Sequence, residues 1–364
     1  MSLTRREKEI LELIKRNPMV SQEELANILG LSRSAIAGHI ANLMKKGFIL
    51  GRGYVVKESK GVVVIGGANI DIKGRPFKEL IRHTSNPGQV DISLGGVARN
   101  IAHNLALLKV PVTLLTVVGN DGEGRKILEE TRRAGVNVEH VLISPTRPTG
   151  VFLAMLDAKG EMEIGIAQME VLEECDAKYL EGQRELIRNS ELVIMDTNLP
   201  TDSMKYVAEI CRKENISLLV DPVSIEKARK VREILDKIDY ITPNRGELAA
   251  ILDVSPGEEV PRLAKIIREK GVKTVIVTLG ATGVYLASEE GEEFIRPYEA
   301  EVIDVTGAGD AFASGLVYGL FNGYTLRLSV KFGLAAAALT ISSPYTVNPF
   351  LSEERLKSTV KGVI

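Results

Sequence analysis

The stretch Asp304-Val305-Thr306-Gly307-Ala308-Gly309-Asp310 ends in a carboxylate, directly behind three residues with little or no side chain. Gly307, Ala308 and Gly309 let backbone N–H groups close around an anion. The apolar segment Ala311–Leu320 reads as a helix, so the loop amides lie at a helix N-terminus, where partial positive charge stabilises anions. Glu301–Val305, before the loop, reads as a strand. A phosphate loop commonly carries a lysine, and here Asp310 stands in that place. A carboxylate there can take the proton from a hydroxyl attacking a γ-phosphoryl group, while the amides hold the charge that develops. The alternative is an aspartate that only caps the helix. The loop alone does not decide between the two.

Two further polar clusters accompany it. Gly66-Gly67-Ala68-Asn69-Ile70-Asp71 follows the apolar run Val62–Ile65, and Gly95-Gly96-Val97-Ala98-Arg99-Asn100 opens a helical stretch. Asn69, Asp71 and Asn100 form a set of donors and acceptors suited to sugar hydroxyls, since one carboxylate can accept two vicinal hydroxyls at once. Read singly, each cluster could equally be a turn. Other nucleotide motifs fail on inspection. "GNDGEGRKI" has no Ser or Thr after its lysine and carries Asp121 and Glu123 where phosphates would sit, and "VVVIGGANID" lacks GxGxxG spacing. No HExxH, CxxC or GxSxG is present.

The elements that must hold these clusters are legible from about residue 58 onward. Apolar runs at Val62–Ile65, Val112–Val118, Leu192–Met195, Leu218–Val220, Tyr240–Thr242 and Thr274–Thr278 have the continuous character of parallel strands covered on both faces. Helical stretches at Val97–Leu108, Gly124–Ala134 and Val260–Lys270 alternate with them, which predicts a doubly wound α/β sheet with ligands at the carboxyl ends of its strands. No apolar run has the length of a membrane span and the basic N-terminus lacks a signal-peptide core, so no membrane role is expected. Cys175 and Cys211 have neither disulfide-framework nor metal spacing, and a reducing cytoplasm is the simpler reading.

A net charge of −2 conceals an asymmetry. Residues 1–60 hold 11 Lys and Arg against 6 Asp and Glu, while the remainder hold 35 against 42. The basic head, residues 1–57, reads as a small domain. Thr4-Arg5-Arg6-Glu7 and Ser21-Gln22-Glu23-Glu24 are capping boxes, and Ser32 caps a third helix. Leu25, Ile28 and Leu29 form the apolar side of the second helix. Ile36, Ile40, Leu43 and Met44 are expected to face inward from the third. Phe48–Leu50 and Tyr54–Val56 flank Gly51-Arg52-Gly53 as a β-hairpin. This order of elements resembles bacterial winged helix-turn-helix regulators, those of the biotin-operon and leucine-responsive type especially. The resemblance implies DNA contact by Arg33, Ser34 and His39 on the third helix and by Arg52 at the wing tip. A helical packing or dimerisation module with no DNA role is the alternative.

Residues 61–364 resemble the ribokinase-like, or PfkB, family of carbohydrate and nucleoside kinases. The resemblance rests on "GGANID", "GGVARN", "VGNDGEG", "PNRGE", "VTLGATG" and "DVTGAGDAFASG", in that order. It implies a three-layer αβα kinase domain over residues 58–364, with a small β lid from about 73–93 and 149–168. By this likeness Asp310 is the base, and Gly307, Ala308 and Gly309 form the anion hole. Asn69, Asp71, Gly95, Gly96 and Asn100 bind the sugar. ATP lies over Asn244, Thr278, Gly280 and Gly283, with Glu247 a Mg2+ candidate. Asp304 and Thr306 match positions that shape a monovalent-cation site in some members, which raises the question of K+. Family lids pair between subunits, so a homodimer is implied.

"ANIDIKG", "SNPGQVDISLGGVARNIAHNLALL", "VDPVS" and "YTVNP" look most like the pseudouridine-kinase branch, which phosphorylates the 5′-hydroxyl of that C-nucleoside. The ribokinase pattern usually has Lys-Gly between the glycines and the asparagine, whereas Val97-Ala98-Arg99 stands there in this chain. The base of the acceptor is then expected under the lid near Gln168 and Met169. Ribose, another ribonucleoside or a hexose are the alternatives. From another class, the chain could be a transcriptional regulator that uses the kinase body as a ligand sensor.

Overall fold

The computed structural model describes residues 3–17, 20–49 and 60–361. The chain divides into two compact units, residues 1–60 and 61–364. The first holds three helices, Arg5–Arg16, Gln22–Leu29 and Arg33–Lys45. Both capping boxes form, and Gly30 turns the chain between the second and third helices in the left-handed conformation. Ile10, Ile14, Leu25, Ile36, Ile40, Leu43 and Ile49 make its core. Lys46 donates to both oxygens of buried Glu7 at 2.8 Å. That ammonium, followed by the Thr4 N–H, draws the Glu7 carboxyl down to about 2. Two expected core residues are surface residues instead, Ile28 at 61% exposure and Met44 at 47%. A core of three short helices accommodates only the residues at their mutual crossing, and Leu25 and Leu43 occupy it. Of the expected hairpin only Phe48 and Ile49 are described, and Arg52 lies outside the described residues.

In the second unit six parallel strands run in the order Val112–Leu115, Val62–Ile65, Leu192–Asp196, Ser217–Asp221, Tyr240–Ile241, Thr274–Thr278. Two antiparallel strands, Val284–Ser288 and Gly291–Ile295, extend the last edge. Alternate residues feed opposite cores. Val63, Ile65, Val193, Met195, Leu218 and Val220 pack with the helices Thr201–Glu214, Arg245–Leu252 and Val260–Glu269. Val62, Val64, Ile194 and Leu219 pack with Val97–Leu107, Ala308–Phe321 and Leu326–Ile341. Burial on both faces explains why these strands read as unbroken apolar runs.

Two expectations fail in detail. Val112–Val118 is not one strand but breaks at Thr116, and Val117–Gly119 pairs in parallel with Leu142–Ser144. Glu301–Val305 is not a strand; only the Ile303 and Asp304 amides bond, both to the Ile341 carbonyl, and Val302, Ile303 and Val305 are exposed. β-branched residues favour a strand only where a neighbouring ladder exists, and the end of the helix Leu326–Ile341 offers none.

A separate four-stranded sheet has the order Gly88–Gly95, Asn69–Pro76, Gly150–Leu156, Met162–Gln168. Its register puts Ile72, Ile92, Leu153 and Ile166 in one cross-strand row, and Asp71, Ser93, Phe152 and Ala167 in the next. Successive rows face opposite sides. The apolar face packs at its base, through Ile70, Leu94 and Ile72, with Val118 and Ile127. Farther out, Val90, Ile92, Leu153, Met155, Ile164 and Ile166 lie exposed.

The helices Ala308–Phe321 and Leu326–Ile341 approach closely because small residues line their contact. A Cβ on Gly315 would run into the Phe332 carbonyl, and one on Gly319 into Ser329. This contact fixes where the first turn, and with it Asp310, sits on the sheet.

Candidate active site

Asp196 ends a central strand, is buried, and accepts three backbone N–H groups, those of Gly67 at 2.8 Å, Ala98 at 3.0 Å and Asn198 at 2.9 Å. The Arg99 amide donates to the Gly67 carbonyl at 3.1 Å. The two glycine turns are thereby stitched to each other, and the Gly67 and Ala98 amides serve this staple rather than a ligand. Gly96 is held at φ +94°, where a Cβ would strike the Gly67 carbonyl, so no other residue allows this approach. Sequence reasoning missed Asp196. Its signal was an acid at the carboxyl end of a buried strand, the end where ligands bind.

The staple aims the helix Val97–Leu107 at Asp310. Asn100 donates from Nδ2 to Asp310 Oδ2 at 2.7 Å, across a separation of 210 residues. Burial pushes the Asp310 carboxyl up to about 7, against the Asn100 hydrogen bond and the charge of Arg99, with Asp196 and Asp71 adding to the rise. Such a group is a poised acceptor near neutral pH. Gly307, at φ +82°, is the N-cap of the helix Ala308–Phe321 and supplies no side-chain hydrogen bond. Asp310 lies in the first turn and not at the cap, so capping does not account for it. The Gly307, Gly309 and Asp310 amides have no partner among the described residues, whereas the Ala308 amide donates to the Val305 carbonyl at 3.2 Å. The amides open to an anion are therefore those of Gly307, Gly309 and Asp310, with Ala308 turned away.

Above this pair stands one face of the small sheet. Asn69 donates from Nδ2 to Asp71 Oδ1 at 2.6 Å, and a Cβ on Gly95 would collide with the Asp71 carboxylate, so the glycine makes room for it. Burial raises the Asp71 carboxyl above its ordinary value. Lys73 follows on the same face and donates to Thr306 Oγ1 at 3.2 Å, bringing a cation from the lid to the glycine loop. Gln168 is a correction. It pairs with Val151 in the row of Ile70 and Leu94, on the opposite face from Asn69 and Asp71. The next residue, Met169, is the one near the site, with its sulfur against Gly150.

The remaining clusters gather at neighbouring strand ends. Asn244 forms a bridge with Thr278, and caps the helix Arg245–Leu252 in a capping box with Glu247. Gly280 opens a short turn that Gly283 closes at φ +97°. Burial raises the Glu247 carboxyl, one oxygen of which accepts the Asn244 amide at 2.9 Å. Its other oxygen has no protein partner among the described residues. Asp304 accepts the Thr306 amide at 2.8 Å. With its hydroxyl already facing Lys73, Thr306 is poorly placed to hold a second cation. Among the described residues no group of three or more His, Cys, Asp or Glu could hold a metal ion. One buried carboxylate fits Mg2+ only as an ion carried mainly by phosphates and water.

Asp221 lies between the two halves. Burial, then the charges of Asp310 and Glu247, push its carboxyl well up. It accepts the amide of Val223, a β-branched residue at φ +63°, in a tight turn closed by Ser224 N donating to the Pro222 carbonyl at 2.7 Å. Such a turn costs on the order of 1–3 kcal/mol and persists where surrounding structure imposes it.

Residues 59–353 match the model of the pfkB family of carbohydrate kinases. The chain belongs to that family. Residues 3–49 match a winged helix-turn-helix DNA-binding model. This pfkB kinase is 37% identical to the uncharacterized sugar kinase YeiI of Escherichia coli over 99% of this chain and 100% of that one. It is 35% identical to the pseudouridine kinase of the same organism, covering 84% and 98% of the two chains. Among solved structures it resembles a carbohydrate kinase from Agrobacterium tumefaciens, at 31% identity and a TM-score of 0.74, over 83% and 97% of the chains. The fold is also that of Arabidopsis thaliana ribokinase complexed with ribose and ATP, at 23% identity and a TM-score of 0.74, over 84% and 99%.

In this pfkB kinase a base must be ionised to accept a proton, and a carboxyl held near 7 is mostly protonated below that value. The kcat/KM profile, which reports ionisations of the free enzyme, is expected to show one acid limb with a midpoint near pH 7, falling about tenfold per unit below it. A profile flat from about pH 5 to 8 would contradict the assignment of Asp310.

Proposed function

We propose that the enzyme transfers the γ-phosphoryl group of ATP to the 5′-hydroxyl of a nucleoside, with pseudouridine as the acceptor. The observation that carries the kinase chemistry is the buried Asn100–Asp310 pair at a helix start with open amides. Asn69 and Asp71 hold the sugar hydroxyls from the lid and set the reacting hydroxyl against Asp310, which receives its proton. The Gly309 and Asp310 amides stabilise charge on the transferred group. Lid closure excludes water and limits wasteful hydrolysis. Asn244, Thr278, Gly280 and Gly283 line the nucleotide side, with Glu247 closest to where Mg2+ would neutralise phosphate charge. The pseudouridine reading is supported by the 35% identity over nearly the whole of the E. coli pseudouridine kinase. Apolar acceptor contact from Phe152 and Met169, beneath the lid, suits a planar base.

The exposed outer part of the lid's apolar face, Val90, Ile92, Leu153, Met155, Ile164 and Ile166, favours pairing with a second lid, and a homodimer is proposed. The head is proposed to contact DNA through the third helix, where Arg33 and Ser34 are exposed and His39 is half-buried. Such a head allows regulation by acceptor or ATP occupancy. No helix of the described residues is long and apolar enough to cross a membrane, and both cysteines are free and buried, in keeping with a reducing cytoplasm.

A coupled assay over pseudouridine, uridine, adenosine, inosine, ribose and fructose tests the acceptor, with K+ or Na+ as the sole monovalent cation. Pseudouridine is expected to give the highest kcat/KM, and Asp310→Asn to lose on the order of 100-fold or more. Highest activity on a hexose would sink the nucleoside reading.

For the head, fluorescence anisotropy with a mixed-sequence DNA duplex should show binding that weakens steeply with salt, and Arg33→Ala should weaken it further. Failure to bind any duplex at low salt would leave the head a packing module.

A further inference from the structure

We propose that Arg99 is a positioning residue that turns the Asn100 amide toward Asp310 and ties that orientation to the end of the lid at Leu94. The inference deepens the kinase reading and rests on Asp310 as its base. Arg99 is 3% exposed. Its Nη2 donates to the Leu94 carbonyl at 2.9 Å and to Asn100 Oδ1, and its Nη1 lies 3.1 Å from His103 Nδ1. A guanidinium can only donate. Asn100 must therefore present its carbonyl oxygen to Arg99, which leaves Nδ2 for Asp310. Turned over, the same amide would set its oxygen against the carboxylate and its NH2 against the guanidinium. Both contacts would then be repulsive.

The cost of burying this cation is the second observation. All three acceptors are neutral. His103 must accept at Nδ1, so its proton sits on Nε2, and burial together with Arg99 holds its ring down to about 4. Arg99 Nε has no partner among the described residues. A residue serving only packing would be better replaced by an apolar side chain. What remains to favour it is the field of Asp310, Asp71 and, less, Glu130. The other charges that face Asp310 are Asp196, on the adjoining strand end, and Asp221, on the next.

Position supplies the coupling. Leu94 is the penultimate residue of the lid strand Gly88–Gly95, and Arg99 lies in the first turn of the helix Val97–Leu107. The side chain reaches back across the Gly95-Gly96 joint. A lid movement that shifts the Leu94 carbonyl thus acts on the amide that holds the base.

The test uses full-length Arg99→Met and Arg99→Lys beside wild type, with the acceptor that wild type phosphorylates best. Both kcat and kcat/KM are read from about pH 6 to 9, and the Asp310 carboxyl is titrated by 13C NMR in the unliganded protein. Loss of the cation disfavours the carboxylate. In Arg99→Met both the acid limb of kcat/KM and the Asp310 titration should rise by about one unit, with kcat/KM at pH 7 down about fivefold. Arg99→Lys keeps the charge but cannot hold Leu94 and Asn100 together, so its limb should stay while kcat falls several-fold. A folded Arg99→Met with wild-type limb and kcat/KM would overturn the proposal. If that variant does not fold, wild-type kcat in Arg99→Lys overturns it equally. If wild type phosphorylates no acceptor, the kinase reading fails, and the Asp310 titration in Arg99→Met still decides the contact.

Discussion

A carboxylate that is to act as a base must be buried enough to hold its proton near neutral pH, yet solvated enough by the protein to ionise. In this chain that balance rests on the Asn100–Asp310 hydrogen bond. Burial drives the carboxyl upward, and the amide and the nearby guanidinium pull it back. The bond joins the first turns of two helices drawn from distant parts of the sequence, so both helices must arrive with little freedom. Asp196 fixes one by gathering amides from both glycine turns. The other is fixed by glycines that let it press on its neighbour. The positive φ at Gly96, which lets the helix start approach the Gly67 carbonyl, serves that arrival.

The arrangement divides labour between a rigid sheet and a small lid. Strand ends carry Asp196, Asp221, Asn244 and Thr278, where backbone positions are set by the central ladder. The lid carries Asn69, Asp71 and Lys73 on one face, and its apolar opposite face is covered only near the base. The proposed sugar recognition thus depends on an element whose packing is incomplete within one chain. In the proposed homodimer a partner lid would complete it, and assembly would then be linked to acceptor binding.

Much of this was legible in the sequence, for physical reasons. Strands covered on both sides have to be apolar throughout, so Val62–Ile65 and Thr274–Thr278 declared themselves. Glycines that face a carbonyl or a carboxylate cannot be replaced cheaply, so Gly95, Gly96 and Gly307 marked the turns. Local patterns failed where a partner from afar decides the outcome. Glu301–Val305 has the composition of a strand and no neighbour to pair with. Gln168 is polar and near the right place in sequence, but the register assigns it to the other face. Asp196 carried only a positional signal, an acid ending an apolar strand, while its partners are distant in sequence; Arg99 is hidden in a motif, and nothing local distinguishes it from an ordinary polar residue.

The central claim is that one acceptor hydroxyl is delivered to Asp310 while the acceptor's neighbouring hydroxyls are held by Asp71. A crystal structure of the wild-type enzyme with ADP, aluminium fluoride and its best acceptor would test this most directly. The account predicts the attacking oxygen within hydrogen-bond reach of the Asp310 carboxylate, in line with the fluoride, and the fluoride against the Gly309 and Asp310 amides. An attacking oxygen more than about 4.5 Å from Asp310, with another side chain in contact with it, would contradict the account.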